Sequence, residues 1–171
     1  MKNNFEESLK RVLTSEGGYV DNPHDPGGAT MKGVTLKVYE DYLGRLVTKQ
    51  ELKDIPDEHI QDIYKRQYWD SLKCDDLPNG VDYLAFDFAV NAGCYRSAVC
   101  LQKAALIEHV DGAIGPKSIE AVNRCNLIDL INYFSQERRN FYRGLITFPT
   151  FGKGWLSRVE TAQNAAKEMI G

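Results

Sequence analysis

The sequence predicts a mainly α protein of α+β type: a helical body with a small N-terminal β-hairpin lobe after the first helix. Three observations carry that reading. Apolar residues recur at helical spacing at the N-terminus and again from Asp57 to near the C-terminus. Residues 19–48 break that pattern. There Pro23, Pro26, Gly27, Gly28 and Gly33 punctuate β-compatible pieces around Thr30, Val34 and Thr35. Finally, 171 residues of which 43% are apolar make about one domain, large enough to bury a core without a disulfide scaffold.

The elements follow in order. Phe5, Leu9, Val12 and Leu13 form the stripe of a first amphipathic helix, which Gly17-Gly18 stops. Leu36–Leu43 reads as a short helix ending at Gly44. Ile60, Ile63, Tyr64 and Trp69 share one helical face. Residues 81–92 are apolar nearly all round, which predicts a central buried helix. Ser97–Ile107 reads as another helix. Asp111-Gly112 and Gly115-Pro116 frame a tight turn, with Pro116 suited to the first turn of the next helix. Asn126 caps a long helix from Leu127 to about Leu145. Thr147–Gly154 reads as a loop, and Trp155–Met169 as the last helix.

Composition excludes several classes. The 24 acidic and 21 basic residues give a net charge of −3, which argues against a nucleic-acid partner. No apolar run reaches the roughly 18–20 residues needed to span a bilayer. Charged residues interrupt every apolar stretch of the N-terminus, so it reads as a helix and not a secretory signal. Cys74, Cys94, Cys100 and Cys125 show no metal-ligand spacing and read as small buried hydrophobes. No metal or other cofactor is expected.

The stretch that carries chemistry is SEGGYVDNPHDPGGATMKGVT, residues 15–35. Glu16 stands at the last turn of the first helix. There the negative end of the helix dipole disfavours a charged carboxylate, as partial burial also does, and both suit a general acid. Asp25 follows on a Pro/Gly-rich loop that folds back across the helix end. Two facing carboxyls are the usual requirement of glycoside hydrolysis. One protonates the leaving oxygen, and the other activates water or stabilises the developing oxocarbenium ion. Thr30 offers a hydroxyl to hold that water. The same residues also fit a capped helix, an ordinary turn and solvated acids.

These residues resemble a known family. Glu16, Asp25 and Thr30, with glycines between and a hairpin after, resemble the Glu–Asp–Thr arrangement of phage-type lysozymes. The string EGGY…DPGGATMKGVT is similar to the signature of glycoside hydrolase family 108, N-acetylmuramidases of phages and bacteria. Residues 86–93 (FDFAVNAG) and 111–116 (DGAIGP) resemble that family's C-terminal predicted peptidoglycan-binding segment, and residues 151–158 (FGKGWLSR) its closing pattern. The resemblance implies a lysozyme-like catalytic region over 1–90 and a helical peptidoglycan-binding region over 91–168, packed into the same globule. It implies Glu16 as catalytic acid, with Asp25 and Thr30 following by analogy to phage lysozymes.

Further candidates stand beside simpler readings. Asn91 either hydrogen-bonds sugar amides or caps the helix end before Gly93. Tyr19, His24, Tyr142 and Trp155 offer rings to stack on sugars, although Tyr142 and Trp155 also fit core packing. Arg138, Arg139, Arg143 and Lys153 form either a basic patch or a solvated helix face.

The expected function is therefore cleavage of the β-1,4 bond between N-acetylmuramic acid and N-acetylglucosamine. The expected partner is the peptidoglycan glycan strand, with no nucleic acid and no stable membrane insertion. The chain is expected to be a monomeric phage or prophage endolysin. It would be made in the cytoplasm without a signal peptide, be released through a holin and act on the cell wall. The alternatives are a non-catalytic wall-binding or secretion-associated protein, and a lytic transglycosylase.

Overall fold

The computed structural model describes residues 4–24 and 28–171. Asp25, the second candidate carboxylate, lies outside the described residues. Helix α1 spans Asn4–Ser15, followed by strands β1 (Tyr19–Asp21), β2 (Ala29–Met31) and β3 (Val34–Thr35). Helices α2 (Leu36–Leu43), α3 (Lys49–Lys53) and α4 (Asp57–Tyr64) come next, and α4 runs into a π-helical turn over Lys65–Trp69. A 3₁₀ turn at Cys74–Asp76 precedes α5 (Val81–Ala92), α6 (Cys94–Ala104), α7 (Pro116–Arg124), α8 (Leu127–Arg143) and α9 (Phe148–Ile170). The predicted fold class holds: a mainly helical protein with one small sheet after the first helix.

Contacts divide the chain into two compact units, Phe5–Gln67 and, among the described residues, Asn4 with Tyr68–Gly171. Position 90, where the two sequence segments meet, lies within α5.

In the first unit α1 buries Phe5, Leu9 and Val12, the stripe read from the sequence. The three strands form an antiparallel sheet in the order β1-β2-β3. Tyr19 pairs with Met31, Val20 with Thr30, and Thr30 in turn with Thr35. Thr35 then ends the sheet and starts α2, its hydroxyl accepting from Val38 N–H at 3.1 Å. Helix α3 has no counterpart in the sequence reading. It is held by a reciprocal cap in which the Thr48 hydroxyl accepts from Glu51 N–H and the Glu51 carboxylate accepts from Thr48 N–H.

In the second unit α5 is the central helix that its composition predicts, buried from Val81 through Ala89. Helices α6, α8 and α9 pack against it. Trp69 and Phe86 meet edge-on at 5.4 Å between ring centroids. Residues 148–154 depart from the expected loop and form the first two turns of α9. Pro149 fits there because the first turn needs no N–H donor. Gly152 fits because a Cβ at that position would strike the Phe148 ring one turn earlier. Each residue that reads as a breaker thus has a helical role. All four cysteines are free thiols; Cys74 and Cys100 are buried, whereas Cys94 and Cys125 are half-buried. Among the described residues no helix is long and apolar enough to cross a membrane.

Candidate active site

Glu16 follows directly on α1 and is half-buried. Its backbone N–H donates to Leu13 O at 3.2 Å, a tight three-residue closing turn. The residue borders an open cleft of about 530 Å³ within the first unit. One wall is the α1 face of Glu6, Lys10, Leu13 and Thr14; Lys32 and Asp57 stand across it.

The carboxylate of Glu16 lies against the turn that joins β2 to β3. Lys32 and Gly33 both have positive φ, 48° and 79°, the pattern of a two-residue hairpin turn whose twist matches the flanking strands. A Cβ built on Gly33 would stand 3.1 Å from Glu16 Oε2 and collide with the Tyr64 hydroxyl. Only glycine fits this position, for its backbone conformation and for its lack of a side chain. Tyr64 is buried, and its hydroxyl donates to Lys32 O at 2.7 Å. Lys32 Nζ pairs with Asp57 at 3.5 Å, and both line the cleft.

Helix α4 carries Tyr64, and a cluster of rings and charges fixes α4 against α2. The Tyr39 hydroxyl meets His59 Nδ1 at 2.9 Å, and Tyr42 donates to Asp62 Oδ2 at 2.9 Å. Arg66 completes the group through Asp62 at 3.0 Å. Burial pushes the Tyr39 phenol above its ordinary range, and the hydrogen bond to Asp62 does the same for Tyr42. Both hydroxyls therefore stay protonated at neutral pH.

Thr30 sits mid-strand in β2, half-buried, with Val20 on one side and Thr35 on the other. The Thr35 hydroxyl caps α2, accepting from Val38 N–H with one of its two lone pairs. Tyr19 is half-buried in β1, with Lys53 Nζ 5.6 Å from its ring centroid. His24 is exposed beyond β1 and its backbone N–H donates to Asn22 Oδ1 at 3.0 Å. Lys49 ties the end of β1 to α3 through Asp21 at 2.9 Å.

The remaining candidates belong to the second unit. Asn91 is exposed near the end of α5, and its Oδ1 accepts from the Tyr142 hydroxyl. The Tyr142 side of the pair is only 2% exposed, stacked on Trp155 at 5.0 Å between centroids. Its ring packs in the interior, and its hydroxyl accepts from Arg138 and donates to Asn91. Arg138 departs furthest from the sequence reading. It is not part of a basic patch or a solvated face but 1% exposed, donating to Asp87 Oδ2 at 2.7 Å. Arg158 donates to the other Asp87 oxygen at 3.1 Å. Burial pulls the Arg138 pKa down, but the facing Asp87 charge and Tyr142 more than offset it, leaving it above the ordinary arginine value.

Comparison with known proteins decides what this arrangement belongs to. The model of the family described as Glycosyl hydrolase 108 matches residues 9–93. The solved structure of SagA from Brucella abortus is 40% identical, with a TM-score of 0.87 over 99% of this chain and 97% of that one. The chain belongs to the glycosyl hydrolase 108 family. No curated protein sequence matches it.

The protein is thus a glycoside hydrolase of lysozyme type with a lysozyme-like α+β fold, and its family implies peptidoglycan as the substrate. The matched segment of this family 108 enzyme begins in α1, takes in Glu16, Tyr19, His24 and Thr30, and ends just past Asn91. Sequence reasoning missed Lys32, Gly33 and Tyr64 as neighbours of Glu16. The Lys-Gly pair between two β-compatible pieces was the available signal for the turn. Nothing local marks Tyr64, which reaches the site from another element.

Proposed function

We propose that this enzyme is an N-acetylmuramidase that cleaves the β-1,4 bond between N-acetylmuramic acid and N-acetylglucosamine, with Glu16 as the general acid. The observation that carries the reading is the half-buried Glu16 carboxylate, packed on Gly33 at the edge of an open cleft. A carboxyl held this way donates its proton to the glycosidic oxygen as the C1–O bond breaks. Positive charge then develops at the anomeric carbon. Asp25 stabilises that charge or activates the incoming water, and the Thr30 hydroxyl holds the water. Tyr19 and His24 contact the sugars from the lobe, and Asn91 hydrogen-bonds an amide of the strand.

The biological setting follows from the same reading. The chain acts as a monomeric phage or prophage endolysin, made in the cytoplasm and passed to the wall through a holin. Residues 91–168 add affinity for peptidoglycan.

Mass spectrometry of the products tests the bond and the chemistry together. Digestion of purified peptidoglycan should release muropeptides ending in reducing N-acetylmuramic acid. Products lighter by one water, carrying a 1,6-anhydro end, would replace hydrolysis by transglycosylation. Absence of any soluble product would leave a wall-binding protein.

A further inference from the structure

We infer that Asn91 reads the carbonyl oxygen of a substrate acetamido group, through an amide whose orientation is fixed from inside the second unit. The inference rests on the peptidoglycan-hydrolase reading above and specifies what Asn91 recognises.

The orientation follows from counting donors and acceptors. A guanidinium only donates. Arg138 Nε and Nη2 each donate to the Tyr142 hydroxyl oxygen, both at 3.2 Å. Those two bonds fill the acceptor capacity of that oxygen, so its single proton must go elsewhere. It goes to Asn91 Oδ1. The reverse amide orientation would set the Asn91 N–H groups against the Tyr142 O–H, donor against donor. With its oxygen turned inward, Asn91 turns its NH2 outward, on a residue that is exposed.

The source of the bias is buried and charged. Arg138 is held by Asp87 at 2.7 Å, and Asp87 also accepts from Arg158 at 3.1 Å. A chain therefore runs from the Asp87 carboxylate through Arg138 and Tyr142 to the surface amide. Linked hydrogen bonds of this kind polarise one another in a low-dielectric interior.

Fixed polarity matters only for some ligands. A sugar hydroxyl both donates and accepts, so either amide orientation would serve it. A group that only accepts needs the NH2 and is repelled by the amide oxygen. Carbonyl and carboxylate oxygens are such groups. In a glycan strand of N-acetylated sugars, the recurring one is the acetamido carbonyl.

The test is steady-state hydrolysis of soluble peptidoglycan strands by the full chain. Asn91→Asp keeps an acceptor for Tyr142 and replaces the outward NH2 by a carboxylate oxygen. On N-acetylated strands it should raise KM about tenfold or more, a larger change than in kcat, since a charge-opposed or missing hydrogen bond is worth about that factor. Tyr142→Phe frees the amide to turn over and should raise KM by about two- to threefold. Chemical de-N-acetylation should raise the parent KM and bring the parent and Asn91→Asp together, and removing stem peptides should leave the gap between them. An Asn91→Asp variant with parental KM on acetylated strands would overturn the inference and leave Asn91 as a cap for Tyr142. A gap that depends on stem peptides would overturn the acetamido assignment. If the parent chain itself releases no product, the failure lies with the hydrolase reading instead.

Discussion

Glu16 Oε2 lies 3.1 Å from the point a Cβ on Gly33 would occupy, so the position of the carboxyl depends on the absence of a side chain one hairpin away. Gly33→Ala should lower kcat severalfold, because its methyl strikes the Tyr64 hydroxyl and presses on the Glu16 carboxylate, and a displaced reacting group loses rate. The positive φ adds about 1 kcal/mol of destabilisation. Gly44→Ala separates the two effects. Gly44 also has positive φ, 71°, but nothing lies within 4 Å of its added methyl. It should lose similar stability in a thermal melt and keep its activity.

Tyr64 holds the same turn from the other side, through its 2.7 Å bond to Lys32 O. Tyr64→Phe keeps the ring and removes the donor. Leaving a half-buried carbonyl unsatisfied costs about 1–3 kcal/mol. The variant should melt several degrees lower and show a loss in kcat larger than the change in KM. Parental kcat in a folded variant would mean that the turn does not locate Glu16.

The Asp87–Arg138 pair should be the most sensitive buried contact of the second unit. Its side chains are 4% and 1% exposed, so removing Asp87 strands the Arg138 charge away from water. Asp87→Ala should cost about 3–5 kcal/mol in urea unfolding, and Arg138→Ala less, because Arg158 still pairs with Asp87. Replacing both residues with apolar ones of similar volume should recover much of that loss.

Stability should fall on the acid side in part through Asp111. The Gln102 side-chain amide first, and then Ala113 N–H, hold the Asp111 carboxyl below its ordinary value. A group whose folded pKa is depressed stabilises above its unfolded pKa and loses that contribution as pH falls through the folded value. Melting temperature should therefore drop from about pH 4 downward, and Asp111→Asn should reduce the slope there. An unchanged slope would show that the Gln102 contact is not formed in solution.

Much of this was legible in the chain. The α1 stripe, the Gly-Gly stop, the hairpin lobe, the buried α5 and the Asn126 cap of α8 are local patterns of spacing and turn chemistry, and each appears where the sequence places it. The helix end at Glu16 is legible the same way, because its neighbours in sequence mark it. What escaped depends on long-range packing. Residues 148–154 look like breakers until Phe148 is seen to need a glycine one turn on. Thr48 and Glu51 spell a capping box, but five residues give too little periodicity to mark a helix. Arg138 reads as solvated in a charged run, and only Asp87, 51 positions away, explains its burial. Tyr64 reads as part of a core stripe, and its hydroxyl serves the site only because the Lys32–Gly33 turn comes to meet it.

The central claim is that Glu16 supplies the proton that cleaves the glycan. Its most direct test is the release of reducing sugars from purified peptidoglycan by Glu16→Gln, alongside the parent chain and with folding checked by circular dichroism. The account predicts loss of essentially all activity in a variant that folds and melts like the parent. A folded Glu16→Gln variant that releases reducing sugars at the parental rate would contradict it.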